Sequence, residues 1–219
     1  MNNRSLALLK AYRRENGTAQ LLLRIVGGAG RRLRDHFLAK RIGCSSLRLG
    51  RNPRVLGLRH LSIGRDFRAR DFFWLEAVTD YEGIVYDPHI EIGHGVCVSD
   101  FVHIAATNKV VIGDGVLAGS RVLITDHNHG KYDGTAQTDP EEPPSSRRLS
   151  CDRSVTIGRN VWLGDGVVVL AGASIGEGSV IGANSVVTGP IPPNCIAAGM
   201  PARPLRHYHH AEKAWLKEI

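Results

Sequence analysis

Residues 157–192 read "IGRNVWLGDGVVVLAGASIGEGSVIGANSVVTGPIP", and the pattern repeats every six positions. The first position of each hexapeptide is aliphatic, and glycine follows it in four of the six. These aliphatic residues are Ile157, Leu163, Val169, Ile175, Ile181 and Val187. A period of six fits neither a helix nor an alternating strand, so it predicts short strands separated by corners.

The same period extends upstream over residues 92–109 and, after a slip of two residues, over 112–129. Three such strands close a triangular coil of about 18 residues, and successive coils stack as parallel strands. The aliphatic first positions then point into a narrow prism and fill it. Because the end coils expose unpaired backbone groups, the pattern also predicts a cap at each end.

The segments around the repeats complete the predicted organisation. Residues 1–44 alternate apolar and basic positions at helical spacing, which predicts a helical cap interrupted at the glycines of 27–30. Residues 45–203 are predicted to form the β-helix, with an extended loop over 130–156. Residues 204–219 are interpreted as a closing helix. The predicted fold class is an all-β solenoid, a parallel β-helix with an N-terminal helical segment and a short C-terminal helix.

Composition and charge limit the functional classes. The 219 residues are 42% hydrophobic and 22% charged, as in one soluble globular domain. The net charge of +7 is concentrated in residues 1–42, where ten Lys or Arg accompany only Glu15 and Asp35. Such a segment fits an anionic membrane surface, a nucleic acid or a solvated helical face. Four cysteines without C-x-x-C spacing, and no signal-peptide pattern, favour the cytoplasm.

The stretch "ITDHNHG", residues 124–130, places Asp126, His127 and His129 where the repeat gives way to the long loop. Three interpretations are open: a metal site, a catalytic base or a polar turn. A histidine titrates near neutral pH and can take the proton of an attacking hydroxyl. Two histidines beside a long loop therefore favour catalysis over a turn.

Four stretches carry a family resemblance: residues 100–130, "PPSSR" (143–147), residues 155–194 and "AAGMPAR" (197–203). Together they resemble the hexapeptide-repeat acetyltransferases that use acetyl-coenzyme A, above all the O-acetyltransferases of lipopolysaccharide and exopolysaccharide synthesis. The resemblance implies a left-handed coil and a homotrimer with active sites between neighbouring β-helices. It also implies acetyl-CoA as co-substrate and a sugar, nucleotide-sugar or lipid-linked glycan acceptor.

The resemblance also assigns roles to single residues. It puts the general base on the sixth position of the hexapeptide before the loop, which favours His129, with His127 or Asp126 orienting it. The implied coenzyme-binding residues are Trp162, Gly164, Asp165, Ala183, Thr188, Gly189, Arg203 and Arg206. The implied acceptor-binding residues are Ser99, Asp100, His103 and Thr107.

Other functions remain open at this stage. An amino-sugar N-acetyltransferase would share fold, co-substrate and base, and a non-catalytic scaffold would share the fold alone. A zinc-dependent β-helix of the carbonic anhydrase type would need three histidine ligands. His89, His94 and His103 do not have the spacing expected for that type, so no metal is expected. The expected setting is the cytoplasm, with peripheral contact to the inner membrane surface and no nucleic acid partner.

Overall fold

The computed structural model describes the backbone of residues 3–217 and the side chains of residues 10–217 except 21, 23 and 24. The outermost residues of the two predicted terminal segments (1, 2, 218 and 219) lie outside the described residues. A helix α1 spans Asn3–Ile42, and 3-10 helices span Leu58–His60 and Pro144–Ser146.

The remaining regular structure consists of short strands. In chain order they are β1 Leu47–Leu49, β2 Arg54–Leu56, β3 Leu61–Ile63, β4 Phe67–Ala69, β5 Trp74–Ala77, β6 Asp80–Tyr81, β7 Ile84–Val85, β8 His89–Ile92, β9 Cys97–Val98, β10 His103–Ala106, β11 Lys109–Ile112, β12 Leu117–Ala118, β13 Leu123–Thr125, β14 Ser154–Ile157, β15 Trp162–Leu163, β16 Val168–Val169, β17 Ser174–Ile175, β18 Val180–Ile181, β19 Val186–Val187, β20 Pro190–Ile191, β21 Cys195–Gly199, β22 Ala202–His209 and β23 Ala214–Lys217.

The strands build the three faces of a prism. Face A contains β1-β4-β9-β12-β15-β18-β21, face B contains β2-β5-β10-β13-β16-β19, and face C contains β3-β8-β11-β14-β17-β20. Each turn of the chain visits A, B and C in that order, and all of these pairings are parallel. The six-residue period therefore predicts the stacked triangular coils correctly.

The first positions of the hexapeptides fill the prism. All six of those in residues 157–192 are at most 2% exposed. On face C the inward column consists of isoleucine in every coil: Ile63, Ile92, Ile112, Ile157, Ile175 and Ile191. Burying each such side chain contributes about 1.5–3 kcal/mol, so the repeat is the main stabilising element of the fold.

Helix α1 caps the first coil through polar and apolar contacts. Arg34 donates to the carbonyl oxygens of Leu49 and Gly50, and Asp35 accepts from the amide of Leu49 at 3.0 Å. These bonds satisfy backbone groups of β1, which has no preceding strand. The interruption predicted over residues 27–30 is wrong. The helix continues through that segment, because glycine costs only about 1 kcal/mol in a helix, and the non-helical residue is Gly17. No helix among the described residues is long and apolar enough to cross a bilayer.

The predicted C-terminal helix is wrong over the described residues 204–217, which form strands. β22 turns back and pairs antiparallel with β21, and β23 pairs antiparallel with β22. The last coil would otherwise leave the backbone groups of β21 unpaired, so a hairpin that extends face A satisfies them. Tyr208 and Trp215 are direct cross-strand partners with ring centroids 5.2 Å apart, a pairing typical of sheets.

Candidate active site

The candidate site lies at the corner between faces B and C, where β13 ends. The chain leaves the prism there and returns only at Ser154, the first residue of β14. Inward and outward positions alternate up to this corner: Ile124 and Asp126 are 1% and 0% exposed, whereas Thr125 and His127 are half-buried. The repeat thus directs a carboxylate inward and a histidine outward in consecutive positions.

Asp126 is a fully buried carboxylate with a complete set of hydrogen bonds. Its Oδ1 accepts from the amide of Thr107 and its Oδ2 from the amide of Asn108, both at 2.9 Å. Thr107 and Asn108 form the same corner in the preceding coil. A buried charge is tolerated only when it is paired and hydrogen-bonded, so these amides fix the position of the carboxylate.

His127 is held by that carboxylate. Its Nδ1 lies 2.9 Å from Oδ1 of Asp126, and its side chain is 13% exposed. Since an ionised carboxylate only accepts, Nδ1 carries the proton and Nε2 is left as the basic nitrogen. A histidine oriented by a third group is the arrangement used to activate a hydroxyl nucleophile.

His129 is placed differently. It is exposed, and its ring meets the edge of Tyr81 with centroids 5.2 Å apart. Its backbone pairs with Leu149, and its carbonyl oxygen accepts from the hydroxyl of Tyr132. The buried carboxylate is bonded to His127 rather than to His129, so the geometry favours His127 as the base. The sequence-based preference for His129 stays a prediction for experiment.

A stacked aromatic pair lies on face B, on the two strands that precede β13 in the sheet. The rings of Trp74 and His103 are 4.0 Å apart and nearly parallel, and the guanidinium of Arg54 lies 4.5 Å from the Trp74 ring. Trp74 Nε1 and His103 Nε2 are buried without a hydrogen-bond partner within the described chain. Because buried polar atoms are normally hydrogen-bonded, each of these two atoms suits contact with a further polar group.

The pKa of His103 lies below its usual value, chiefly because burial disfavours the charged imidazolium and secondarily because His127, when protonated, and Arg54 repel a second positive charge. His103 is therefore neutral at pH 7. The unfolded chain binds this proton more tightly than the folded chain does. Lowering the pH below about 6.5 therefore removes stability at this position.

Two insertions pack together over the site. The β6–β7 hairpin approaches the extended loop, where Tyr81 donates to the carbonyl oxygen of Ser145 at 2.7 Å. The Tyr86 hydroxyl accepts from the amide of Leu149 at 3.0 Å. Arg147, the arginine of "PPSSR", is buried and donates to Tyr132 Oη and to the carbonyl oxygens of Glu142 and Pro140. The loop is therefore an ordered wall, held from within by Arg147 and tied to the hairpin side by Tyr81 and Tyr86.

Replacing Arg147 with Ala is expected to loosen this wall, because about three hydrogen bonds from a charged donor are lost at once. Hydrogen exchange of amides 131–149 should rise at least tenfold, whereas exchange in β15–β19 should change little. The matched control is Arg148→Ala, since Arg148 is exposed. Equal exchange in the two variants would contradict a bracing role for Arg147.

The predicted acceptor residues divide between two corners. Thr107 is 2% exposed and donates to the carbonyl oxygen of Ser150 at 2.9 Å, so it supports Asp126 and the loop. Asp100 lies at the corner between faces A and B, where its Oδ1 accepts from the amide of Asp71. Ser99 precedes it and is half-buried. Of this set, Thr107 is bonded to Asp126, and His103 is near enough to His127 for its pKa to be affected.

The predicted coenzyme residues are distributed in a similar way. Gly164, Asp165 and Ala183 lie at the corner between faces A and B, whereas Thr188 and Gly189 lie at the same corner as His127. A Cβ on Gly164 would come within 2.7 Å of the Ala183 amide, so glycine is required there for coil stacking. Asp165 accepts from the amide of Ser120 at 2.7 Å, which is a turn-stabilising bond.

The other predicted coenzyme residues line face A and its extension. Trp162 is 52% exposed on β15. Arg203 is exposed on β22, and the Arg206 guanidinium donates to the carbonyl oxygen of Trp215. One chain therefore does not bring the A–B corner residues to His127, because the width of face B separates them.

The metal interpretation finds no cluster to support it. Among the side chains that the structure describes, no three His, Cys, Asp or Glu converge as they would around a metal ion. His127 is committed to Asp126, and His103 is stacked on Trp74.

Comparison with known proteins agrees with the repeat. Residues 154–189 match the family model for the bacterial transferase hexapeptide of six repeats. The chain is 48% identical over 123 residues to "Putative lipopolysaccharide biosynthesis O-acetyl transferase WbbJ" of Escherichia coli K12, which covers 56% of this chain and 62% of that protein. The chain therefore spans less than two thirds of the length of this relative.

Solved structures show the same fold. The N-acyltransferase AntD of Bacillus cereus, crystallised with dTDP and 3-hydroxybutyryl-CoA, superposes with a TM-score of 0.56 at 16% identity, covering 77% of this chain and 84% of that one. A point mutant of the same enzyme, crystallised with dTDP and coenzyme A, gives 0.54 at 19% identity, covering 81% and 90%. The protein is a hexapeptide-repeat, left-handed parallel β-helix, as the six-residue period and the family resemblance predict.

Proposed function

We propose that the protein is an acetyl-CoA-dependent O-acetyltransferase that acts on a sugar hydroxyl in surface polysaccharide biosynthesis. The observation that carries this proposal is the Asp126–His127 pair. Its carboxylate is fully buried, and its histidine is directed outward where the chain enters the extended loop. The similarity to the relative named "Putative lipopolysaccharide biosynthesis O-acetyl transferase WbbJ" supports the same reaction class.

In the proposed reaction His127 is the general base. Its Nε2 accepts the proton of the sugar hydroxyl as the hydroxyl oxygen attacks the thioester carbonyl carbon. Asp126 keeps Nδ1 protonated and stabilises the imidazolium that forms. The proton on Nε2 then passes to the leaving sulfur, the carbon–sulfur bond breaks, and the ester remains on the sugar. Transfer is direct within a ternary complex, and no acyl-enzyme forms.

The chain offers a fitting surface for the co-substrate, which supplies the acetyl group as a thioester. A Cβ at Gly189 would meet nothing within 4 Å, so an extended arm has room beside that backbone. Arg203 is exposed, and no carboxylate of the described chain pairs with it. A guanidinium of this kind suits a phosphate. Trp162, Gly164, Asp165, Ala183, Thr188 and Arg206 complete the proposed coenzyme surface.

We propose a homotrimer because one chain separates the proposed base from several of the proposed coenzyme residues. His127 lies at one edge of face B, and Gly164, Asp165 and Ala183 lie at the other. Packing prisms side by side around a threefold axis would bring the A–B corner of one chain against the histidine corner of its neighbour. Face A also exposes Leu117 (46%) and Trp162 (52%) in direct register, an apolar pair suited to such a contact.

Placing a charge on that apolar pair should separate the subunits. Leu117→Glu buries a carboxylate in the proposed contact, so light scattering should report monomers where the unaltered protein is trimeric. Val85→Glu is the matched control, since Val85 is 82% exposed on the β6–β7 hairpin. A trimer that persists in Leu117→Glu would place the contact elsewhere.

The proposed acceptor is a sugar bound beside Trp74, His103 and His127, delivered as a nucleotide sugar or a lipid-linked glycan. Trp74 Nε1 and His103 Nε2 lack a partner within the described chain and are buried, so a sugar hydroxyl would reach them only after a small shift of this stacked pair. Ser99, Asp100 and Thr107 are proposed as outer contacts. The proposed location is the cytoplasm, beside the inner membrane face where such acceptors are assembled.

The test supplies purified protein with acetyl-CoA and matched sugars that carry a hydroxyl or an amine at the same carbon. Release of the coenzyme thiol and formation of an acetyl ester are expected with the hydroxyl acceptor. Transfer confined to the amine would make the protein an N-acetyltransferase. If calorimetry detects no binding of acetyl-CoA, the protein is a non-catalytic scaffold.

A further inference from the structure

The outer face of α1 carries an apolar stripe. Its side chains are 47–69% exposed, and they are Leu22, Ile25, Val26, Leu33 and Phe37. At 100° per residue these five positions fall within an arc of about 120°. An exposed apolar patch of this continuity marks an interaction surface rather than scattered surface residues.

The stripe is separate from the contact that holds α1 to the β-helix. Leu38, Ala39 and Ile42 pack against the core of the first coils. They project from the opposite side of the helix, centred about 150° from the middle of the stripe. The helix is therefore apolar on two sides, and packing against this chain explains only one of them.

Cations border the stripe. Arg32 and Arg41 lie on its two flanks and Lys40 continues it at the C-terminal end, all exposed. Of the two acidic residues in the segment, Asp35 is buried and bonded to Arg34 and the Leu49 amide. The outer face from residue 22 onward therefore presents positive and apolar groups together.

More positive charge lies beside α1. Two adjoining clefts of about 580 Å³ each are bordered by Arg31, Arg48, Arg68 and Arg70. Arg48 and Arg68 are direct cross-strand partners on face A, a like-charge contact that costs stability. Within the described chain none of these four arginines forms an ion pair within 4 Å. Asp71 and Asp100 also line the second cleft, but Asp71 is paired with Arg51, so the arginines outnumber the carboxylates there. Such charges suit phosphate groups from outside the chain.

We propose that the outer face of α1 docks on a membrane surface containing anionic phospholipids. The apolar stripe enters the boundary between headgroups and acyl chains, and the flanking cations meet lipid phosphates. The cleft arginines strengthen the positive potential on the same end of the molecule. A second copy of the chain would bring an equally positive face against this one, so charge complementarity favours the membrane. The proposal goes beyond acetyl transfer because it involves neither His127 nor any coenzyme residue.

The experiment measures co-sedimentation of the full chain with vesicles of phosphatidylcholine alone and of phosphatidylcholine with phosphatidylglycerol. The triple variant Arg32→Gln/Lys40→Gln/Arg41→Gln should lower the partition coefficient on anionic vesicles about a hundredfold. The matched control is Lys109→Gln/Arg121→Gln/Arg148→Gln, which removes three exposed charges on later coils and the extended loop and should lower it less than tenfold. Val26→Gln/Leu33→Gln/Phe37→Gln tests the stripe and should lower it more than tenfold.

Several results would overturn the proposal. Binding that is equal on neutral and anionic vesicles would do so, as would equal binding by the flank triple and its charge-matched control. If the stripe variant binds vesicles normally but changes oligomeric state in light scattering, the stripe is a contact between copies. If inorganic diphosphate raises the melting temperature while vesicles are not bound, the arginines hold a soluble phosphate compound. If circular dichroism shows that the stripe variant does not fold, the comparison of the flank triple with its charge-matched control tests the proposal.

Discussion

Replacing His127 with Ala should lower kcat/KM for acetyl transfer to a sugar hydroxyl by about 10²–10⁴-fold, the usual contribution of a general base. The expected loss is in kcat, because the proton is transferred only as the hydroxyl attacks. The KM for acetyl-CoA should change little, since His127 is bonded to Asp126 and not to a proposed coenzyme residue. Release of the coenzyme thiol under saturating co-substrate measures the effect.

His129→Ala is the matched control for this prediction. His129 is exposed and meets Tyr81 edge-on, so its removal should change kcat/KM by no more than about tenfold through the adjoining loop. If His129→Ala abolishes transfer and His127→Ala does not, the sixth-position assignment is right and the buried carboxylate serves the fold alone. Full activity in both variants would exclude this corner as the source of the base.

The choice between the two histidines shows what a period of six leaves unresolved. The count of six fixes Ile124 inside the prism, and the structure has it 1% exposed. The alternation of inward and outward side chains continues for two further residues, so Asp126 is buried and His127 faces outward. The backbone groups that hold Asp126 in place belong to the preceding coil. The amides of Thr107 and Asn108 reach Asp126 across 18 or 19 positions of sequence.

Other features of the structure could not be predicted from the sequence, in part because the coils differ in length. Trp74 is aligned with His103, 29 residues later, whereas His103 is aligned with Leu123 after only 20. The β6–β7 hairpin lengthens one coil, so a fixed period does not bring Trp74 into register. The bracing role of Arg147 depends on carbonyl groups of the loop itself. The β22–β23 hairpin forms because β21 would otherwise be an unpaired edge strand. Pairing this edge outweighs the helical spacing of the local sequence.

Substituting Asp126 should affect stability and catalysis together, and two variants separate the effects. Asp126→Ala leaves the buried amides of Thr107 and Asn108 without an acceptor, which should cost about 2–5 kcal/mol in the free energy of unfolding. Asp126→Asn keeps the shape and one acceptor oxygen, so about 1–2 kcal/mol is expected. Urea unfolding followed by circular dichroism measures both.

The catalytic part of the effect appears in Asp126→Asn. A neutral amide does not stabilise the imidazolium on His127, so kcat should fall at least about a hundredfold under conditions where the variant is fully folded. Asp114→Asn is the matched control, because Asp114 also accepts from a backbone amide at a coil corner, that of His94 at 2.6 Å. Because Asp114 is exposed, this variant should lose less stability than Asp126→Asn, and it should keep its kcat. An Asp126→Asn protein with unchanged kcat would mean that the carboxylate only accepts the backbone amides at this corner. His127 would then act as a base without a charged partner.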